Sequence, residues 1–191
     1  MLLIFDFDGT LVELEDMQNS AYDAVFRHYD IEFDIRAIKP GVSITQKMDM
    51  LETLGYSFDR EEFQRMRDAW VVNNVGNYLS YSEPLQSSIK QLSRKHVLAI
   101  ATNAGKEYVM RALDILEISH YFSKINTFTD YPAKPNPEIF LDCMRATGFA
   151  KDNTVIFEDS PSGIAAAEKT GATIEITTGV IDTLCKMAKY K

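Results

Sequence analysis

Five short apolar runs, with helical patterns between the last four, make this an α/β sequence: a Rossmann-like parallel sheet core of about five strands with an inserted helical cap. The runs occupy residues 2–7, 97–101, 124–128, 154–157 and 172–176. Strands that alternate with helices must lie parallel, because parallel neighbours need a crossover connection and a helix supplies it. The stretch between the first two runs is far too long for one crossover, and it has helical patterning in place of loop composition.

The insertion is expected over residues 14–80, leaving 1–13 and 81–191 as the α/β core. Tyr22, Val25, Phe26 and Tyr29 fall at i, i+3, i+4 and i+7 and form one apolar stripe; Phe63, Met66 and Trp70 form another. Gly41 and Gly55 punctuate these helices. Glu83-Pro84 opens the helix that leads back into the sheet, and Trp70, Tyr78 and Tyr81 read as packing residues of the insertion.

The 191 residues suffice for one full core plus a modest insertion, and 46% of them are hydrophobic. A formal charge of -8 argues against a duplex nucleic-acid binder, which needs Lys and Arg to neutralise phosphates. An anionic substrate must then be held by a local device. Cys143 and Cys185 lie far apart in no CxxC pair, so buried free thiols are expected, with no disulfide framework and no zinc site. His28, His96 and His120 have no ligand spacing. The apolar start of the chain is broken by Asp6 and lacks a basic leader, and no stretch is long enough to span a membrane, so a cytoplasmic protein with no membrane or nucleic-acid partner is expected. A monomer is the default.

Four polar clusters follow the predicted strands. The first is Asp6-Phe7-Asp8-Gly9-Thr10. With a strand period of two, Asp6 and Asp8 would share one side, where two close carboxylates repel unless a cation neutralises them. Gly9 permits a tight turn whose amides can point at an anion. The second is Thr102-Asn103, whose hydroxyl can donate to a phosphoryl oxygen or cap the next helix. The third is Lys134, in a loop before a helix with Asn136 as expected cap and Pro137 as first residue. The fourth is Glu158-Asp159, followed by Ser160 as cap of a helix starting at Pro161. All four fall at the carboxyl ends of separate strands, the edge where parallel sheets gather ligands. Acids from the first and fourth strands would make the hard-oxygen site that magnesium prefers, and Lys134, Thr102, Asn103 and the turn amides would hold phosphate charge.

In this order the clusters resemble the four motifs of the haloacid dehalogenase superfamily, over a span from Leu2 to about Ile176. The wording Lys134-Pro-Asn-Pro-Glu-Ile-Phe140 and Phe157-Glu-Asp-Ser-Pro-Ser-Gly-Ile164 is similar to the phosphoglycolate phosphatase and β-phosphoglucomutase branch, which carries a helical cap between the first two motifs. The resemblance implies a Mg2+-dependent phosphatase of a small phosphorylated metabolite. Asp6 would be the nucleophile that becomes phosphorylated, and Asp8 the general acid and then base. Magnesium would lie on the Asp6 side chain, the Asp8 carbonyl and Asp159, with Glu158 nearby or acting through water. Lys134 would pair with Asp6 and the phosphoryl group, and Thr102 would bind a phosphoryl oxygen. Met17 and Gln18, with Lys47, are the analogous specificity positions.

Two departures leave alternatives open. Relatives carry an acid followed by Ser or Thr where this chain has Glu13-Leu14. Gly41-Val42-Ser43 is similar to a mutase cap loop, yet Ile44 stands where those enzymes place a phosphate-binding arginine, and Lys47 is the nearby basic residue. A phosphosugar mutase is therefore the second reading, and a silent binding protein on the same scaffold the third.

Overall fold

The computed structural model describes residues 1–38 and 42–191, so Gly41 of the mutase-like loop lies outside the described residues. Five strands, β1 (Leu2–Phe5), β2 (Val97–Thr102), β3 (Lys124–Thr127), β4 (Thr154–Glu158) and β5 (Thr173–Ile176), form one sheet in the order β3-β2-β1-β4-β5. Every pairing is parallel, as the strand and helix alternation requires. Leu2, Leu3, Ile4 and Phe5 of the central strand are wholly buried, which is why β1 reads as an unbroken apolar run. The chain builds β2 and β3 to one side of β1, then returns to place β4 and β5 on the other. Strand order therefore reverses at β1, and the crevice beside its carboxyl end is where such sheets bind ligands.

The chain divides into two compact units: Met1–Glu13 with Leu79–Lys191, and Leu14–Tyr78. The division falls at Tyr78, two residues before the expected boundary, because the last helix of the insertion runs to Tyr78. Helices α4 (Glu83–Ser93), α5 (Lys106–Ile115), α6 (Glu138–Thr147), α7 (Pro161–Glu168) and α8 (Val180–Met187) belong to the sheet unit. One buried cluster joins Ile4, Ala99 and Ile156 of the sheet to Ile139, Phe140 and Cys143 of α6. Phe5 stacks on Phe157 at 4.6 Å and meets Phe122 edge-on at 6.4 Å. Cys143 is buried, but Cys185 is exposed: it sits on the outer side of α8, whose inward positions are Thr183 and Met187.

The helical unit holds α1 (Glu15–His28), α2 (Ile44–Thr53) and α3 (Arg60–Tyr78). Its core gathers Tyr22, Val25, Phe26, Leu51 and Phe63, with Tyr29 stacked on Phe63 at 6.1 Å. Ser43 begins α2 with a full capping box: its hydroxyl accepts from the Gln46 amide while the Gln46 side chain accepts from Ser43 N. Tyr78 and Tyr81 are exposed and so fill no core. No described helix is long and apolar enough to cross a membrane.

Two local boundaries differ from the sequence reading. β1 stops at Phe5, so Asp6 and Asp8 lie beyond the strand and the period of two does not place them. Asp6 N still donates to Phe157 O at 2.9 Å, after which the chain turns sharply: the Leu11 and Val12 amides donate to Phe7 O, and Gly9 adopts φ +84. Helix α6 starts at Glu138, one residue late, and the Asn136 side-chain oxygen Oδ1 accepts from Glu138 N at 2.9 Å. Asn136 closes a turn ahead of the helix in place of capping it.

Phe5→Ala should cost about 3–5 kcal/mol, because a wholly buried ring wedged between two others leaves a cavity that the sheet cannot close. A urea unfolding series should show the midpoint falling accordingly.

Candidate functional site

Lys134 organises the carboxyl edge of the sheet. Its side chain is 2% exposed, and its ammonium donates to Asp6 Oδ1 at 2.5 Å and to Glu158 Oε2 at 2.6 Å. Asn103 holds the backbone of that lysine from both sides, accepting from Lys134 N at 2.8 Å and donating to Lys134 O at 3.4 Å. Thr102, the last residue of β2, is buried, and its hydroxyl accepts from Ala104 N at 3.0 Å, shaping the turn into α5. Lys169 fixes the loop further by donating to Pro135 O at 2.7 Å.

Glu158, wholly buried, uses its other oxygen to hold the turn before α7. Oε1 accepts from the amides of Asp159 and Ser160 and from the Ser160 hydroxyl at 2.8 Å. Ser160 Oγ in turn accepts from Gly163 N at 3.0 Å, the expected cap of α7. A Cβ on Gly163 would sit 2.0 Å from the Glu158 carboxyl carbon, so this position admits no side chain while Glu158 stays in place. Gly9 is constrained twice over: its φ is left-handed, and a Cβ there would meet Asp159 Oδ2 at 2.2 Å.

Asp6, Glu158 and Asp159 bring carboxylate oxygens within 4.8 Å of one another. Thr10, buried beneath them, donates to Asp159 Oδ1 at 3.2 Å. Burial and then the Glu158 charge push Asp6 well above the usual carboxylate range, against the pull of Lys134. The same two causes push Asp159 up to about 6. Burial disfavours the Lys134 ammonium, but its two carboxylate partners together outweigh burial and hold its pKa above the ordinary lysine value. Three acids face one ammonium, an arrangement that suits a divalent cation with oxygen ligands.

Asp8 is not in this acidic group. Its carboxylate accepts from the Tyr108 hydroxyl at 2.7 Å. The expected pairing of both first-motif carboxylates in one acidic cluster is therefore not what the structure shows: the cluster holds Asp6, Glu158 and Asp159.

In the helical unit, Met17 is wholly buried, which gives it a packing place and no open surface for a ligand. Gln18 accepts from the Arg67 guanidinium. Lys47 lies 4.6 Å from the centre of the Tyr22 ring, and Arg67 faces the same ring at 5.4 Å. Burial first, and then the Arg67 charge, lower the Lys47 pKa to about 8.

Residues 3–176 match the haloacid dehalogenase-like hydrolase family. The chain belongs to that family. It is 27% identical over 179 residues to the fructose-1-phosphate phosphatase YqaB of Escherichia coli, covering 88% of this chain and 92% of the relative. It is 28% identical over 188 residues to a phosphorylated carbohydrates phosphatase of Thermotoga maritima, covering 95% and 86%. A β-phosphoglucomutase from Clostridium difficile superposes with a TM-score of 0.75 at 23% identity, over 97% of this chain and 87% of that one, which is a likeness of fold.

Sequence reasoning on this haloacid dehalogenase-like hydrolase missed three residues. Tyr108 has no motif around it, and pairs with Asp8 across a hundred positions. Arg67 lies on α3, remote in sequence from Lys47, and no periodicity joined them. Gly163 was visible inside its motif, but its reason, the approach of Glu158, is a contact between side chain and backbone that spacing does not reveal.

Gly163→Ala should displace the Glu158 carboxylate and leave Lys134 half-paired, costing about 3–5 kcal/mol in urea unfolding. Gly105→Ala, whose added methyl would meet Phe128 at an ordinary 3.5 Å, should stay near wild type. A further expectation concerns Lys47. Its folded pKa of about 8 lies below the ordinary 10.5, so the unfolded chain binds more protons between those values and stability rises with pH through that window. Lys47→Met should therefore melt above wild type at pH 7, with the gap closing by about pH 10.5 in thermal scans.

Proposed function

We propose that the chain is a magnesium-dependent phosphatase of a small phosphorylated metabolite, with Asp6 as nucleophile. The observation that carries this reading is the buried Asp6-Lys134-Glu158 bridge beside Asp159. It fixes a carboxylate at the ligand-binding edge of the sheet and leaves acidic charge in excess of the one ammonium. Family membership and relatives named as phosphatases of phosphorylated sugars support the same reading.

The donor set fits magnesium: hard carboxylate oxygens from Asp6 and Asp159, with the Asp8 carbonyl a third ligand by family resemblance. Glu158, already bonded by Lys134, Ser160 and two amides, acts through Lys134 and by holding the turn that leads to the Ser160 cap of α7. Bound there, the cation would offset the repulsion between the Asp6 carboxylate and an incoming phosphate.

The protein's own groups do the rest. Lys134 orients Asp6 and offers positive charge to the phosphoryl oxygens, and the Thr102 hydroxyl adds a donor. Asp6 attacks phosphorus and forms an acyl phosphate while Asp8 gives a proton to the departing alcohol. Asp8 then takes a proton from the water that releases phosphate. Asn103, bonded to both backbone groups of Lys134, serves by fixing that lysine. Lys47 and Gln18, with Arg67 beside them, are our proposed determinants of which alcohol leaves. A phosphosugar mutase is the second reading, favoured by the Lys47 and Arg67 pair, a cationic feature of the kind that could meet a second anionic group.

Phosphate release from p-nitrophenyl phosphate should require Mg2+, vanish on chelation, and drop by about 10³-fold or more in Asp6→Asn. Unchanged turnover in clean Asp6→Asn protein would sink the proposal. Conversion of a hexose 1-phosphate into its isomer faster than into free phosphate would select the mutase reading.

A further inference from the structure

We infer that Tyr108 is a positioning residue for the reaction, acting through Asp8. The inference rests on the assignment of Asp8 as general acid and base made above. Tyr108 is the third residue of α5 and follows the same β2 loop that delivers Thr102 and Asn103. It is 5% exposed. Its ring meets Phe7 edge-on at 5.7 Å and 79°, and Phe7 is the wholly buried residue between Asp6 and Asp8. From this seat the phenol donates to Asp8 Oδ1 at 2.7 Å.

Asp8 lies past the end of β1, on a turn, so neither strand geometry nor the Lys134 bridge orients its carboxyl. The hydrogen bond from the Tyr108 ring, seated against Phe7, ties one oxygen of that carboxyl. A carboxyl with two soft torsions serves a proton transfer well when held within hydrogen-bond reach of the reacting oxygen, and a displacement of about 1 Å costs on the order of 10²-fold. In the first half-reaction the Asp6 oxygen to phosphorus bond forms, the ester bond breaks, and the Asp8 carboxyl proton goes to the departing oxygen. In the second, a water oxygen bonds phosphorus, its proton goes to Asp8, and the Asp6 bond to phosphorus breaks. Both transfers need the carboxyl in one place.

A buried tyrosine also needs some partner for its hydroxyl simply to be satisfied, and the two roles differ in their kinetics. Tyr108→Phe keeps the ring on Phe7 and removes the hydroxyl. Its kcat/KM should fall about 10- to 100-fold for glycerol 2-phosphate, whose alkoxide must be protonated, and less than about 3-fold for p-nitrophenyl phosphate, whose phenolate leaves unaided. With p-nitrophenyl phosphate the variant should also show a burst of nitrophenol, because the slowed water step lets the acyl phosphate accumulate. Combined with Asp8→Asn, it should add no further loss, since the residue it positions is already gone. Equal losses for both substrates, additive losses in the double variant, or no change at all would each overturn the inference and leave the phosphatase reading standing. If wild-type protein with Mg2+ releases phosphate from neither substrate, the phosphatase reading fails and this inference falls with it.

Discussion

The ammonium of Lys134, sealed between Asp6 and Glu158, is the constraint on which the site depends. An ion so thoroughly removed from water is tolerable only with close counter-charges and with every remaining donor and acceptor occupied. The surroundings supply the counter-charges and fix the groups that carry them. Asn103 grips the lysine's backbone, Lys169 pins the next residue's carbonyl, and Glu158 gives its second oxygen to Ser160 and two amides. Asp6 after β1, Asn103 after β2 and Glu158 at the end of β4 are thereby tied through one residue, Lys134, in the loop after β3. Disturbing any one of these ties reaches Asp6.

Charge balance then explains why the site lies in an acidic protein. Asp6, Glu158 and Asp159 outnumber Lys134, and burial raises the cost of ionising Asp6 and Asp159. A divalent cation would relieve that cost, and its positive charge together with Lys134 would be the local device that an overall charge of -8 demands for an anionic substrate. The fold contributes placement: because strand order reverses at β1, the ends of β2 and β4 flank Asp6 at the crevice where such sheets bind ligands.

Most of this architecture was legible from the chain. The parallel sheet followed from strand and helix alternation, and the candidate residues from four polar clusters each placed after a strand. Asp6, Lys134, Glu158 and Asp159 do meet, because a parallel sheet sends all its carboxyl ends to one edge. Where reasoning from residues fell short, a contact outside the local pattern decided the outcome. A period of two gave Asp8 the same direction as Asp6, but β1 ends at Phe5, and the turn carried by Gly9 sends the Asp8 carboxyl to Tyr108. Met17 looked like a ligand contact by analogy and is instead wholly enclosed. Cys185 looked buried by residue type and is exposed, since α8 turns Thr183 and Met187 inward.

Glu13, which with Leu14 departs from the family's usual wording, has a physical reason visible only in three dimensions. Its carboxylate accepts from Val180 N at 3.1 Å, where α8 begins with unsatisfied amides and a positive dipole end. Gly179 before it adopts φ +119, and a Cβ there would sit 2.2 Å from the Glu13 oxygen, so this position admits no side chain while Glu13 stays in place. Nearby, Thr10 shares a hydroxyl contact with Thr177, whose amide donates to Glu158 O. The segment leaving the first motif is thus fastened to the chain after β5 at two points, Thr10 and Glu13. Glu13 is the last residue of the sheet unit before the helical unit begins at Leu14. An acid here anchors the end of the catalytic turn, so whatever the following residues do, Asp6 and Asp8 start from a fixed frame.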